Sequence, residues 1–284
     1  MSSLRDIKHR IRSVRNTQQI TRAMQMVAAA KLRRAQQRVE ASRPYAAKMK
    51  EMLEALSTAA AGVSHPLFEV RPPGRTALVL FTSDRGLCGS YNANLIRRAH
   101  QFVKERPAAE ALVVPVGRKG YDWFKSRPYP LGEVYQDWQG NLDFERVKEM
   151  TRYLTGLFQA GEVDRVVLLY TQFVSTVSYR VTLEPFLPIA PPEGAAAPAA
   201  DYIYEPDAPA IFSRLIPSYA LTRVQMALAE ALASEHGARM FAMSNATANA
   251  REMIDALTMQ FNKARQASIT KEMLEIVGGA EALK

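Results

Sequence analysis

The chain has a single cysteine, Cys88, so no disulfide can form within it, which suits a reducing compartment. Histidine is scarce too. His9, His65, His100 and His236 fall in different segments, none at zinc-ligand spacing from another His or from Cys88. No run of 18 uncharged apolar residues occurs, so no membrane-spanning helix is expected, and no secretory signal precedes the first polar residues. The Arg- and Ser-rich start has the composition of an organellar transit peptide, but its helical pattern runs on past any cleavage point. Glycine and proline are absent from residues 1–43, and no aromatic precedes Tyr45. That last absence weighs against a nucleic-acid surface, which interleaves aromatic or glycine residues among its cations.

What is present at the N-terminal end is charge of one sign. Residues 1–50 hold thirteen Lys or Arg against Asp6 and Glu40, a net of +11. The whole chain carries +9, so the other residues sum to −2. A field this local suits an acidic protein partner, nucleic acid or an anionic surface.

The uninterrupted N-terminal stretch also has a repeat. Steps of three and four pick out Leu4, Ile7, Ile11, Val14, Gln18, Thr21, Gln25, Ala28, Leu32, Ala35, Val39, Ser42, Ala46, Met49, Leu53 and Leu56, twelve of the sixteen apolar. That is a heptad seam. Where it softens, at Gln18, Thr21 and Gln25, a second stripe of Ile20, Met24 and Val27 appears on a rotated face, so the partner is expected to change along the helix. Pro44 should bend the helix locally. A matching seam near the other end runs Met240, Met243, Thr247, Ala250, Ile254, Leu257, Phe261, Ala264, Ser268, with Gly237 the one weak helix former and Gly278–Gly279 an expected stop. At about 1.5 Å per residue the two helices would reach on the order of 80 and 100 Å, lengths that need a partner throughout. Each end supplies the other's partner, with Ala28, Ala35, Ala46, Ala250 and Ala264 small enough for close approach. The methionines along both helices read mostly as core filler.

Between the ends, apolar runs and amphipathic segments alternate. Strands are expected at residues 76–84, 111–117, 164–173 and 178–186, and helices at 93–104, 119–125 and 144–160. This is a small βαβ-type sheet. The fold class is therefore α/β plus long helices: an antiparallel two-helix coiled coil from the two ends with a small Rossmann-like domain between. Its divisions are 1–61, 62–209 (with a Pro/Ala-rich loop at 188–201) and 210–284.

Chemistry is hard to find. SDRGLCGSYN, residues 83–92, sits where a strand hands over to a helix, the place for a phosphate loop, but has neither the Walker lysine nor G-x-G-x-x-G. A tight turn is the better reading. There Cys88 could gain reactivity from a helix N-terminus or be a buried small hydrophobe, and Asp84 with Arg85 reads as a local ion pair. Near the C-terminal end, Asn245, Asn249, Asn262, Gln266, Thr270 and Glu272 interleave with Arg239, Arg251 and Arg265, a pattern suited to being read by another protein.

Four ordered blocks now carry a resemblance: RIRSVRNTQQITRAMQMVAAAKLRRAQ (10–36), SDRGLCGSYNANL (83–95), YIYEPD (202–207), and ARMFAMSNATANAREMIDAL with NKARQASITKEMLEIVGGAEAL (238–283). In them the sequence resembles the gamma subunits of F-type ATP synthases. The resemblance implies a central rotating shaft, one copy per complex, that couples ion-driven rotation of the membrane ring to ATP synthesis or hydrolysis in the beta subunits. It implies alpha and beta partners (three of each), an epsilon subunit and the ring of c subunits, with membrane contact only through the complex. No catalytic residue, cofactor or metal is implied in this chain. By motif, beta contacts fall on Arg22, Met24, Lys31, Arg33, Arg34, Arg239, Arg265, Gln266 and Thr270, and the foot facing the ring and epsilon on Tyr202, Tyr204 and Glu205. Arg12 and Arg15 belong to the same basic surplus. One cysteine and no room for an insertion match the non-photosynthetic bacterial type, which is peripheral on the cytoplasmic side of the inner membrane. A basic coiled-coil nucleic-acid binder is the alternative from another class.

Replacing Leu257 with Pro should unfold the C-terminal helix around it at a cost of about 3 kcal/mol or more. Deleting the residues after Gly278 should leave thermal melting, followed by circular dichroism, nearly unchanged.

Overall fold

A computed structural model of the chain describes residues 3–59, 65–72, 74–138, 142–175, 178–189 and 207–282. Helix α1 (Leu4–Ala59) is followed by β1 (Thr76–Phe81), α2 (Tyr91–Lys104), β2 (Ala111–Val116), α3 (Arg118–Phe124), α4 (Phe144–Gln159), β3 (Arg165–Phe173), β4 (Tyr179–Leu187) and α5 (Ala208–Ala282). The expected strands and helices of the middle are all present, with ends displaced by a few residues. Packing groups the residues differently from the divisions drawn along the sequence: 1–28 with 240–284 form one compact unit, and 29–239 the other. The reason is that parts of both long helices, residues 29–59 and 208–239, belong with the sheet.

In the larger unit the four strands run in the order β2-β1-β3-β4. β1 is parallel to both neighbours, and β4 is antiparallel to β3. All six residues of β1 and of β2 are buried, as continuous apolar runs in a two-sided parallel sheet should be. Alternation sorts β1 between two cores. Ala77, Val79 and Phe81 pack with Val147, Met150 and Leu154 of α4 and with Ile216, Val224 and Leu228 of α5. Leu78 and Leu80 pack with Leu95, Ala99 and Val103 of α2 and with Phe124 of α3. Asp143 caps α4 by accepting from the Glu145 and Arg146 amides. Antiparallel contact of α1 and α5 within this unit is marked by Arg43 beside Glu230 (3.6 Å) and Met49 beside Thr222 (3.6 Å). Gly237 does not interrupt α5. A Cβ there would stand 2.6 Å from the Tyr179 hydroxyl oxygen of β4, so glycine permits a close approach that alanine would obstruct.

The smaller unit pairs the two chain ends. Ser3 and Asp6 open α1 as a reciprocal cap, the Ser3 amide donating to Asp6 (3.0 Å) and the Asp6 amide to Ser3 (3.2 Å). Thr21 and Thr247 meet through their hydroxyls at 2.8 Å, and a cleft beside them is lined by Arg15, Gln18, Gln19, Arg251 and Ile254, so the helices run antiparallel. One hydroxyl donates to the other, and the second donates to a carbonyl of its own helix, that of Gln18 for Thr21 (3.0 Å) or of Met243 for Thr247 (2.8 Å). The polar softening of the seam is thus a place where both hydroxyls are satisfied.

Seen along both units, every seam position from Leu4 to Leu53 is buried or half-buried, as is every one from Met240 to Ser268. Leu56 lies outside the described side chains. Two expectations are corrected. Gly278 and Gly279 do not end the last helix, which is assigned through to Ala282. Each glycine weakens a helix by about 1 kcal/mol but leaves its backbone hydrogen bonds available. Only half of the helix methionines behave as filler: Met26, Met253, Met259 and Met273 are exposed, whereas Met24, Met226 and Met240 are half-buried and Met243 is buried. Helix α1 is assigned without a break across Pro44.

A double-mutant cycle of Thr21→Val and Thr247→Val, measured by denaturant unfolding of the full chain, should give a favourable coupling of about 0.5–1 kcal/mol. Additive single effects would show that the two hydroxyls do not interact.

Candidate functional site

The loop after β1 is held by its own side chains. Asp84 accepts from the Arg118 amide (3.1 Å) at the start of α3, and from the Asp137 (3.1 Å) and Trp138 (2.8 Å) amides. The Asp84 carboxylate thus ties the loop to the start of α3 and to residues 137–138, in place of the expected local pair with Arg85. Asn92 accepts from the Ser83 amide at 3.0 Å and donates to the Ser83 hydroxyl at 2.7 Å. Leu87 and Gly89 both adopt positive φ, 62° and 58°, in the tight turn that the glycine spacing suggested. Gly117, facing the loop at φ 101°, has no room for a Cβ beside the Thr82 carbonyl.

Cys88 is buried, and burial pushes its thiol up from the ordinary value, with partial relief from the Ser83 hydrogen bond and Arg239. Activation by a helix N-terminus is therefore replaced by the inert small-hydrophobe role. Tyr91, fully buried, donates to the Ala231 carbonyl of α5 at 3.1 Å. Burial first, then the Glu235 charge, holds its hydroxyl well above the usual tyrosine range. Glu235 is itself pushed up by burial, against the lowering effect of the Arg239 charge.

Arg239 does not stand out from the surface. Its side chain is 13% exposed, pairs with Glu235 at 2.7 Å, and donates to the carbonyls of Arg85 (3.1 Å) and Gly86 (3.3 Å). Within this chain the guanidinium braces the turn, unlike the exposed cations among the expected contacts.

The remaining predicted contacts divide between the two units. In the larger one, Lys31, Arg33 and Arg34 are exposed on α1. Lys31, Arg34 and Arg38 rim a cleft of about 190 Å³ floored by Ala35, Leu142, Ala229 and Leu232. In the smaller one, Arg12, Arg15 and Arg22 are exposed and Met24 is half-buried. Of the second stripe, Ile20 (60% exposed) and Val27 (58%) stand open beside the half-buried Met24, and the neighbouring Met26 (61%) is exposed as well. Arg265, Gln266 and Thr270 are also exposed, on a separate stretch of α5. Beyond them Leu274 (67%) and Ile276 (72%) are bare. Periodicity did not flag this last apolar group, because a helix stripped of its partner shows no preferred face. Tyr202, Tyr204 and Glu205 lie outside the described residues. Among the described residues no cluster of three His, Cys, Asp or Glu could hold a metal, and no helix is long and apolar enough to cross a membrane.

These surfaces offer cations and apolar side chains at protein-contact scale. A family model described as ATP synthase matches residues 3–283. Curated relatives named ATP synthase gamma chain match end to end: that of Moorella thermoacetica is 49% identical over 286 residues, covering 100% of both chains. That of Pelotomaculum thermopropionicum is 45% identical over 285 residues, again covering 100% of both. The chain belongs to the ATP synthase gamma-chain family. A solved central-stalk and c-ring assembly of the Tetrahymena thermophila mitochondrial ATP synthase contains a chain of similar fold, with TM-score 0.63 and 31% identity over 80% of this chain and 99% of that one. Membership in the gamma-chain family sets aside the nucleic-acid alternative raised by the basic N-terminal end.

Because Tyr91 has a raised value in the folded chain, its protonated form is the one the fold favours. Its stabilisation is complete below the ordinary tyrosine value, about 10, and is lost as pH rises through the higher folded value. Thermal melts should fall steeply above about pH 10, and less steeply in Tyr91→Phe. Tyr135 and Tyr170, shifted in the same direction by burial, keep part of the slope. At neutral pH that variant should be less stable by about 1 kcal/mol for the lost hydrogen bond.

Proposed function

We propose that this chain is the central rotating stalk of a bacterial F-type ATP synthase, itself without catalytic activity, and that it works by contact. The observation that carries the reading is that the two chain ends complete each other's seam yet leave a second set of apolar and cationic side chains uncovered. Ile20, Met26, Val27, Leu274 and Ile276 are left uncovered by the described residues, so in this reading their burial falls to a surrounding protein. In this reading the surround is alpha and beta subunits about the paired helices, with an epsilon subunit and the c ring at the sheet unit; the similarity to a chain of a solved central-stalk and c-ring assembly supports it. The complex then lies at the cytoplasmic face of the inner membrane, and this chain meets the membrane through the complex.

The physics of such contacts fits a turning part. A contact that is made and broken at each step must be weak and replaceable. Exposed ion pairs contribute about 0.2–1 kcal/mol each, so Arg22, Arg33 and Arg34 could meet successive acidic loops without being trapped by any. Methionine and aliphatic side chains add apolar contact without directional demands. Arg265, Gln266 and Thr270 would give a second, hydrogen-bonding contact further along α5. Arg239 would act indirectly, by holding the turn at Arg85 and Gly86.

In a reconstituted complex, Arg265→Ala with Gln266→Ala should lower ATP turnover several-fold, about 1 kcal/mol in the barrier, with subunit stoichiometry unchanged. Unaltered turnover would remove these two residues from the contact. Purified chain alone should release no phosphate from ATP, and turnover that co-purifies with it would overturn the non-catalytic reading.

A further inference from the structure

A stalk must pass torque between its helices and its sheet, and apolar packing is poorly suited to that. Burial of apolar area is non-directional, so sliding one smooth face across another costs little as long as the area stays covered. The face that α5 turns to the sheet is apolar: Ile216, Ala220, Val224, Ala227, Leu228 and Ala231 are all buried in the core they share with β1 and β3. Hydrogen bonds behave differently, because they weaken steeply when the angle is lost.

Directional ties from α5 to strands β3 and β4 are made by Arg223, Glu230 and Ser234. Arg223 donates twice to one oxygen of Glu184 on β4, from Nε (3.1 Å) and Nη2 (2.6 Å), and from Nη1 to the Phe186 carbonyl (3.1 Å). The other Glu184 oxygen accepts from Tyr170 of β3 at 2.7 Å. One turn pair further on, Glu230 accepts from the Phe173 amide at the end of β3 (2.9 Å) while its second oxygen faces Arg43 of α1 (3.6 Å). Ser234 then donates to the Thr171 carbonyl at 2.8 Å. At 100° per residue, positions 223, 230 and 234 fall within about 40° of one another, so the ties form a single row along the helix. Two lie in places where a charge or hydroxyl is costly unless bonded, since Glu230 and Ser234 are both buried.

We propose that Arg223, Glu230 and Ser234 form the torque link of this chain, locking α5 against rotation over strands β3 and β4 while the apolar core supplies most of the cohesion. They are positioning residues, and the inference rests on the rotating-stalk reading. Cohesion and torsional stiffness are then carried by different groups and should be separable.

The test uses the assembled complex with a bead fixed to a cysteine introduced at the exposed Glu110 of the sheet unit. In the stalled complex, angular fluctuations of the bead report torsional stiffness. Arg223→Met with Ser234→Ala should cut the stiffness to about half or less, because directional bonds are removed, while unloaded ATP hydrolysis stays the same. Val224→Ala, which trims the apolar core beside the row, should lower the melting temperature and leave stiffness intact. Unchanged fluctuations in the double variant, or equal softening in Val224→Ala, would overturn the link. If the double variant does not assemble, Ser234→Ala alone is read in the same way, with a smaller expected loss of stiffness. A wild-type complex whose bead never turns under ATP would refute the rotor reading itself, a result distinct from both.

Discussion

Helices of 56 and 75 residues are far longer than a solitary helix can sustain in water, so everything in this chain depends on the apolar seam that each end presents to the other. Burial of that seam is the term that offsets the ordering of so many residues. The seam is built from small and medium side chains, with Ala28 and Ala250 among the buried ones in the smaller unit, and this allows close backbone approach. It also tolerates polar members when they can bond across, as the two threonine hydroxyls do. The same periodic rule extends into the larger unit, where Leu32, Val39, Met49 and Leu53 are buried.

A seam that satisfies one face of each helix leaves the opposite face to be used elsewhere. In most proteins that face would be uniformly polar. Here it carries arginines together with bare methionine, valine and isoleucine, which is a poor surface for a free protein and a good one for an enclosed part. The sheet unit follows other rules. Strands β1 and β2 are buried on both sides, the turn after β1 is closed by Asp84 and Asn92, and two of the unit's enclosed or half-enclosed carboxylates have arginine partners. Glu235 meets Arg239, and Glu184 meets Arg223. Removing one member of either pair would leave the other poorly solvated, so the pairs specify one arrangement more than they add net stability.

Much of this was legible in the residues because periodicity is a local property. Steps of three and four located both helices and the positions they bury, and continuous apolar runs located the strands. The four resemblance blocks pointed to the gamma-chain family, and the full-length matches establish it. What failed to read were properties set by something across space. Arg239 and the exposed Arg265 look alike in a helix pattern, yet one is enclosed by two carbonyls and a carboxylate. Cys88 at a strand-to-helix turn looks poised for reactivity until burial is known. Gly278 and Gly279 look like a stop because the sequence shows their weak propensity and not the helix that precedes them.

The sequence by itself determined where the helices and strands lie, which helix face is apolar, and where the positive charge collects, since each depends on neighbours within a few residues. Only the tertiary structure decided which side chains on those faces are spent internally and which are left for a partner. That division turns on burial and on hydrogen bonds between residues as far apart as Thr21 and Thr247 or Arg85 and Arg239, whose geometry no local pattern encodes.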